Sequence, residues 1–247
     1  MNLISSISSF INKIPLAVPT STVPIVKNQY LELYYDPSNP AGSSNTTLID
    51  LSGKGNNGIL PTSTTISGSK ILLNNNYVAT TYYPNLDNLT PYTFELWFRD
   101  NSPGITLSGS STALVSNYGL TTTTPTAQLA ITSTGYIGFT ERNASSVTNG
   151  YTLTTNNICN NAWNHIVKTS TDTQQLLYLN GVNISAATTN RPGGVITSTS
   201  PIVIGGGSLN RCMTCSLGAV RIYKGYALTG ADVLTNYNAE YPIFSIL

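Results

Sequence analysis

The stretch Trp163 to Ile184, WNHIVKTSTDTQQLLYLNGVNI, constrains the fold more than any other. It reads as three β-strands joined by two tight turns. Asn180-Gly181 is a strong hairpin signal, because a type I′ turn needs positive φ at both central residues. Leu176, Tyr178 and Asn180 alternate with Leu177, Leu179 and Gly181, and Val182 and Ile184 continue an alternating strand. Upstream, Trp163, His165 and Val167 point one way while Asn164, Ile166 and Lys168 point the other.

The same grammar runs through most of the chain. Strands are expected at Tyr30–Tyr35, at Lys70–Leu73 and Tyr77–Thr80 around an Asn74-Asn75-Asn76 turn, and at Tyr92–Arg99. Others follow at Ala113–Tyr118, Ala127–Thr132, Tyr136–Thr140, Tyr151–Thr155, Ile202–Gly207 and Leu217–Tyr223. In Tyr92–Arg99, Phe94, Leu96 and Phe98 make one face and Glu95 and Trp97 the other, so both faces are at least partly covered. Thr229-Gly-Ala-Asp232 has the form of a capping box with Asp in place of Glu, opening a short helix through about Tyr237. Many short strands with regular turn signals imply an all-β, two-sheet antiparallel sandwich of jelly-roll type.

Ahead of this pattern lies a different one. Leu3, Ile4, Ile7, Phe10, Ile11 and Ile14 recur at spacings of three and four, one apolar stripe of an amphipathic helix. Residues 15–26, PLAVPTSTVPIV, carry three prolines and read as an extended linker. The division is therefore an N-terminal arm and linker at 1–26 and a β domain at 27–247. A membrane-surface helix carries several basic residues, and this one has only Lys13, which leaves two readings side by side: packing on its own domain, and docking on a neighbouring subunit. The N-terminus lacks a basic region before its apolar residues, so it is not read as a signal peptide. No run reaches the roughly 18 apolar residues of a membrane span.

Four stretches resemble the laminin-G-like (concanavalin A-like) jelly-roll family. They are the Trp163–Ile184 meander with its L-Y-x-N-G-V, Tyr30–Leu60 with its D-x-S-G-x-G-N-x-G loop, Tyr92–Arg99 with F-x-x-x-W, and Leu217–Ala239 with the closing strand and helix. They occur in the family's order and span about residues 28 to 240. The resemblance implies a concanavalin A-like sandwich and places His165 in a sheet interior. It also brings calcium and sugars as the family's ligands. Calcium needs six to eight oxygens, and Asp36, Asp50, Asp87 and Asp100 sit in or beside loops. A sugar needs an exposed aromatic platform, and Tyr82, Tyr83 and Tyr118 lie near loops.

Catalytic signals are sparse. Glycosidases flank the scissile bond with two carboxylates, yet no two of the ten acids are spaced i, i+2. The E-x-D-x-E motif of glucanases with this fold is missing, and only a cross-strand pair such as Glu95 with Glu141 remains. His165, the only histidine, reads as a satisfied core residue rather than a base. Cys212-Met-Thr-Cys215 has C-x-x-C spacing, but with Cys159 and His165 it lacks the surroundings of a zinc or redox centre. Asn45, Asn88, Asn143 and Asn183 begin N-x-S/T sequons, which an Asn/Ser/Thr-rich chain generates by chance.

Charged residues make up only 9% of the 247, with a net charge of +1, against about a quarter in average soluble domains. Without clustered Lys and Arg, nucleic-acid binding is demoted. The neutral surface suits an extracellular or densely packed setting. The expectation is a non-enzymatic interaction protein of a larger assembly. A minor capsid or virion surface protein that docks on other subunits through its arm is the leading form, with a virion or otherwise extracellular location. The alternative is a lectin-like glycan-binding module for attachment. No cofactor is required, calcium being optional.

Overall fold

The computed structural model describes residues 26–39, 43–44, 46–86, 90–101, 111–117, 127–142, 148–185, 200–206 and 212–246. The arm residues Leu3, Ile4, Ile7, Phe10, Ile11 and Ile14, together with Asp87 and Tyr118, lie outside them.

Two antiparallel sheets of eight strands face each other. One contains β1 (Leu31–Tyr35), β4 (Thr65–Ser67), β5 (Lys70–Asn76), β7 (Tyr92–Asp100), β12 (Asn164–Ser170), β13 (Gln175–Leu179), β14 (Val182–Asn183) and β16 (Met213–Lys224). The other contains β2 (Thr47–Leu48), β3 (Gly58–Ile59), β6 (Val78–Thr80), β8 (Ser111–Ser116), β9 (Ala127–Thr132), β10 (Tyr136–Arg142), β11 (Thr148–Asn157) and β15 (Val203–Ile204). The first runs β14-β13-β12-β7-β16-β5-β4, with β1 also paired to β16, and the second β11-β10-β9-β8-β15-β6-β3-β2. The jelly-roll sandwich expected from the strand pattern is thus the fold.

A third layer completes the architecture. Helix α1 (Gly230–Phe244) lies on the outer face of the first sheet. Thr229 and Asp232 form the capping box reciprocally, each side chain accepting from the other's backbone. The helix runs seven residues beyond the expected Tyr237 and passes through Pro242. That proline falls in the last turn, where it removes a single main-chain bond. Ile243 and Phe244 beyond it are buried against the sheet, and their burial outweighs the lost bond.

The central strands serve two cores at once. From β7, Phe94, Leu96 and Phe98 enter the core between the sheets, while Trp97 enters the core beneath α1. From β12, Ile166 joins the first core and Val167 the second. Strand alternation sends successive side chains to opposite faces, so both faces of this sheet must be covered.

The meander forms as its spacing implies. His165 pairs with Trp97 and Val167 with Glu95, and on the other side Ile166 pairs with Leu179. Asn180 and Gly181 take φ of 51° and 79°, the left-handed pair of a type I′ turn. The expected Asn74-Asn75-Asn76 turn lies within a strand instead. Strand β5 continues through Asn76, and β6 belongs to the other sheet. Asn76 is held in β5 by pairing with Met213, so the chain crosses between layers at Tyr77 instead of folding back.

Candidate functional site

Two clusters of buried charge dominate the interior. Beneath α1, Glu95 projects from β7 toward the helix. His165 Nε2 lies 2.8 Å from Glu95 Oε1, Asn236 Nδ2 donates to both oxygens at 3.1 Å, and Tyr223 Oη donates to Oε2 at 3.2 Å. Arg221 Nη1 sits 3.5 Å from Glu95 Oε2, and the same guanidinium pairs with Glu240 of α1. Trp97 Nε1 donates to Glu240 Oε2 at 2.7 Å. Burial alone would push the Glu95 carboxyl up, but Arg221, His165 and Asn236 outweigh it and hold the pKa down to about 2. Burial alone would lower the Arg221 pKa, and Glu240 and Glu95 instead hold it well above its ordinary value.

The second cluster lies between the sheets. Lys168 on β12 pairs with Glu141 on β10 and also meets the Tyr92 hydroxyl. Tyr92 donates to Glu141 Oε1, as does Ser170 Oγ at 3.0 Å. Lys168 Nζ lies 3.9 Å from the Tyr92 ring centroid, a cation–π contact in a dry setting. This is a cross-brace between the two sheets.

These placements decide the chemistry that sequence left open. Glu95 and Glu141 do not form a carboxylate pair. Glu95 faces α1, whereas Glu141 faces the inter-sheet core and reaches Tyr92, three residues before Glu95 and on the opposite side of β7. Each is fully buried and held by cationic or donor groups. His165 is fully buried, its ring tilted against Trp97 at 5.0 Å and held by Glu95; it is a core residue as expected, but its Nδ1 is buried without a hydrogen-bond partner among the described residues rather than satisfied.

The loop acids are also turned inward. Asp50 accepts from the main chain of Tyr34, Ser52 and Asn56 and from the Ser52 hydroxyl. It organises the D-x-S-G-x-G-N-x-G loop from within, with Gly53 and Gly55 at positive φ. Asp36 accepts from Ser38 N and from Tyr34 Oη, both at 2.9 Å. Asp100 is fully buried at the far end of β7, paired with Cys215. Among the described residues no three His, Cys, Asp or Glu side chains gather as metal ligands; Asp87 lies outside those residues. Cys159, Cys212 and Cys215 form no disulfide with one another. Burial, reinforced by Asp100, pushes the Cys159 thiol up to about 12, the reverse of what a redox cysteine needs.

The tyrosine candidates separate. Tyr82 is only 5% exposed, and burial followed by Glu32 raises its hydroxyl pKa. It packs in the inter-sheet core and offers no platform, because alternation along 78–82 turns it inward with Val78 and Thr80. Tyr83 is 51% exposed and remains accessible. A further surface was not anticipated. On α1, Leu234 and Tyr241 are 46% and 49% exposed, and Val182 of the adjacent hairpin is 63% exposed. The spacing Leu234, Tyr237, Tyr241 was the available signal, masked by an expected helix end at Tyr237.

A helix-capped, two-sheet jelly roll with Glu95, Glu141 and Glu240 held in its interior is the architecture of a concanavalin A-like domain. The chain belongs to the concanavalin A-like lectin/glucanases superfamily, whose Laminin_G_3 model matches residues 72–234. No curated protein matches it by sequence. Among solved structures, the binding domain of Paraclostridial Mosquitocidal Protein 1 superposes with a TM-score of 0.67 at 20% identity, covering 87% of this chain and 53% of that one. Trypanosoma rangeli sialidase gives 0.66 at 12% identity, over 91% and 36%. The receptor binding domain of botulinum neurotoxin type G gives 0.61 at 15%, over 85% and 51%. At these identities the likeness concerns the fold. The chain spans about half the length of the binding domains it matches, and less of the sialidase.

Proposed function

We propose that this chain is a non-catalytic recognition module that binds a carbohydrate or glycosylated receptor surface. The observation that carries the reading is the commitment of Glu95, Glu141 and Glu240 to buried ion pairs within a superfamily fold that includes lectins. These three glutamates hold the layers together. Binding domains of two toxins share the architecture, which is consistent with this use of it. Recognition falls to surface aromatics and amides, with Tyr83 the exposed ring among the candidates. Saturable binding on a glycan array, weakened at least tenfold by Tyr83→Ala with unchanged thermal stability, is the expected result. Hydrolysis of a β-glucan or a sialoside by the purified protein would overturn the non-catalytic reading.

A second reading, favoured by the exposed apolar stripe on α1, makes the protein a component of a larger assembly. Its leading form is a virion or other surface protein whose domain at 27–247 recognises ligands and whose arm docks on neighbouring subunits. Size-exclusion chromatography with light scattering on the full chain and on a chain starting at Lys27 tests it. Association that disappears with the arm supports this reading, and two equally monomeric species oppose it.

A further inference from the structure

We infer that the apolar stripe formed by Leu234, Tyr237 and Tyr241 of α1 with Val182 of the β13–β14 hairpin is the seat of this chain's own N-terminal segment, residues 3–14. The stripe is continuous. Tyr237 and Tyr241 have ring centroids 5.4 Å apart, and Tyr237 in turn stacks on Trp97 at 5.7 Å. The hairpin abuts the helix so closely that a Cβ at Gly181 would lie 3.0 Å from Leu234 Cδ1 and 3.1 Å from Tyr237 Cδ1. An aromatic ladder thus runs from the core to the surface and ends in exposed rings. Contiguous apolar patches of this kind mark contact sites.

The occupant is indicated by where the chain joins the domain. Val26 packs into the core beneath α1, and its N–H points at Asn236 Oδ1 at 3.5 Å. Asn236 lies mid-helix on the buried face, between Leu234 and Tyr237 in sequence. The segment therefore starts beside the middle of α1 and only has to cross the helix to reach the stripe. A helix is roughly 10–12 Å across. Eleven residues, the number from 15 to 25, span at most about 35 Å. Residues 3–14 in helical form measure about 18 Å, enough to cover the stripe from Leu234 to Tyr241. The apolar stripes match in kind, Leu3, Ile4, Ile7, Phe10, Ile11 and Ile14 on one side, and two tyrosines with Leu234 and Val182 on the other, Lys13 being the one charge in the segment. So short a tether gives a millimolar effective concentration, which favours the chain's own segment over one from a second copy.

The test is hydrogen exchange and limited proteolysis on the full-length chain, wild type against Leu234→Asp/Tyr241→Asp. Both positions are half-exposed, so the substitutions leave the cores intact, and thermal melting confirms it. Residues 3–14 are expected to be protected in the wild type, and α1 amides near Leu234 with them. In the variant the segment should be cleaved at least tenfold faster. Wild-type cleavage as fast as the variant's would overturn the inference, as would undiminished protection in the variant. Protection lost on dilution, together with dimers in light scattering, would assign the stripe to a second copy and overturn the intramolecular arrangement. Glycan binding through Tyr83 is read separately, so either proposal can fail alone.

Discussion

Phe244 stacks on Trp97 with ring centroids 4.5 Å apart and an interplanar angle of 23°. This contact pins the last turn of α1 to the centre of the first sheet. It exists because the neighbouring strand has no side chain at Gly218. A Cβ there would lie 2.3 Å from Phe244 Cε1 and 2.8 Å from Trp97 Cβ. Gly218→Ala is therefore expected to expel Phe244 and destabilise the fold by about 1–3 kcal/mol, the usual cost of overpacking. Urea unfolding followed by tryptophan fluorescence checks both effects.

Glu95 makes stability depend on acid. Its folded pKa of about 2 lies below its ordinary value of 4.5. A depressed carboxylate contributes stability that is complete above the unfolded pKa and is lost as pH falls through the folded one. The contribution is about 3 kcal/mol, present at neutral pH and eroded between about pH 4.5 and 2. Glu95→Gln should lower stability at pH 7. It should also flatten the decline below pH 4.5, as seen in denaturant midpoints across that range.

The cross-brace between the sheets calls for a double-mutant cycle. Lys168→Met leaves Glu141 buried without its cation, and Glu141→Leu leaves Lys168 without its anion. Each should cost about 3–5 kcal/mol, the penalty for stranding a buried charge. Lys168→Met with Glu141→Leu should recover most of that loss, because an apolar pair of similar volume avoids desolvation. Equilibrium unfolding of the four proteins measures the coupling.

The α1 N-terminus gives a smaller, cleaner effect. Thr229 Oγ1 accepts from Asp232 N at 3.2 Å, and Asp232 Oδ2 accepts from Thr229 N at 3.0 Å. Thr229→Ala should cost about 1 kcal/mol. It should also raise the pKa of Asp232, because the Thr229 hydroxyl donates to Asp232 Oδ2 at 2.8 Å and, with the Thr229 N–H, holds that carboxyl below its ordinary value against the upward pull of burial. Thermal melting and carboxylate titration by NMR read the two consequences.

Local rules in the chain determined a good deal. The Asn180-Gly181 turn, the alternation of Phe94, Leu96 and Phe98 against Glu95 and Trp97, and the Thr229–Asp232 cap each follow from a few adjacent residues. Period-two patterning and turn chemistry are short-range, so they can be read without a structure. Tertiary structure decided what those rules leave free. Whether Asn74–Asn76 turns back or carries a strand into the next layer depends on Met213, far along the chain. Whether α1 stops at Tyr237 or passes Pro242 depends on Trp97 and Trp163 waiting for Phe244. The partners of Glu95 lie 70 to 141 residues away, and Tyr82 and Tyr83 differ only in which of them the second sheet covers. Burial and long-range pairing emerge when layers close on one another, and no window of neighbouring residues contains that information.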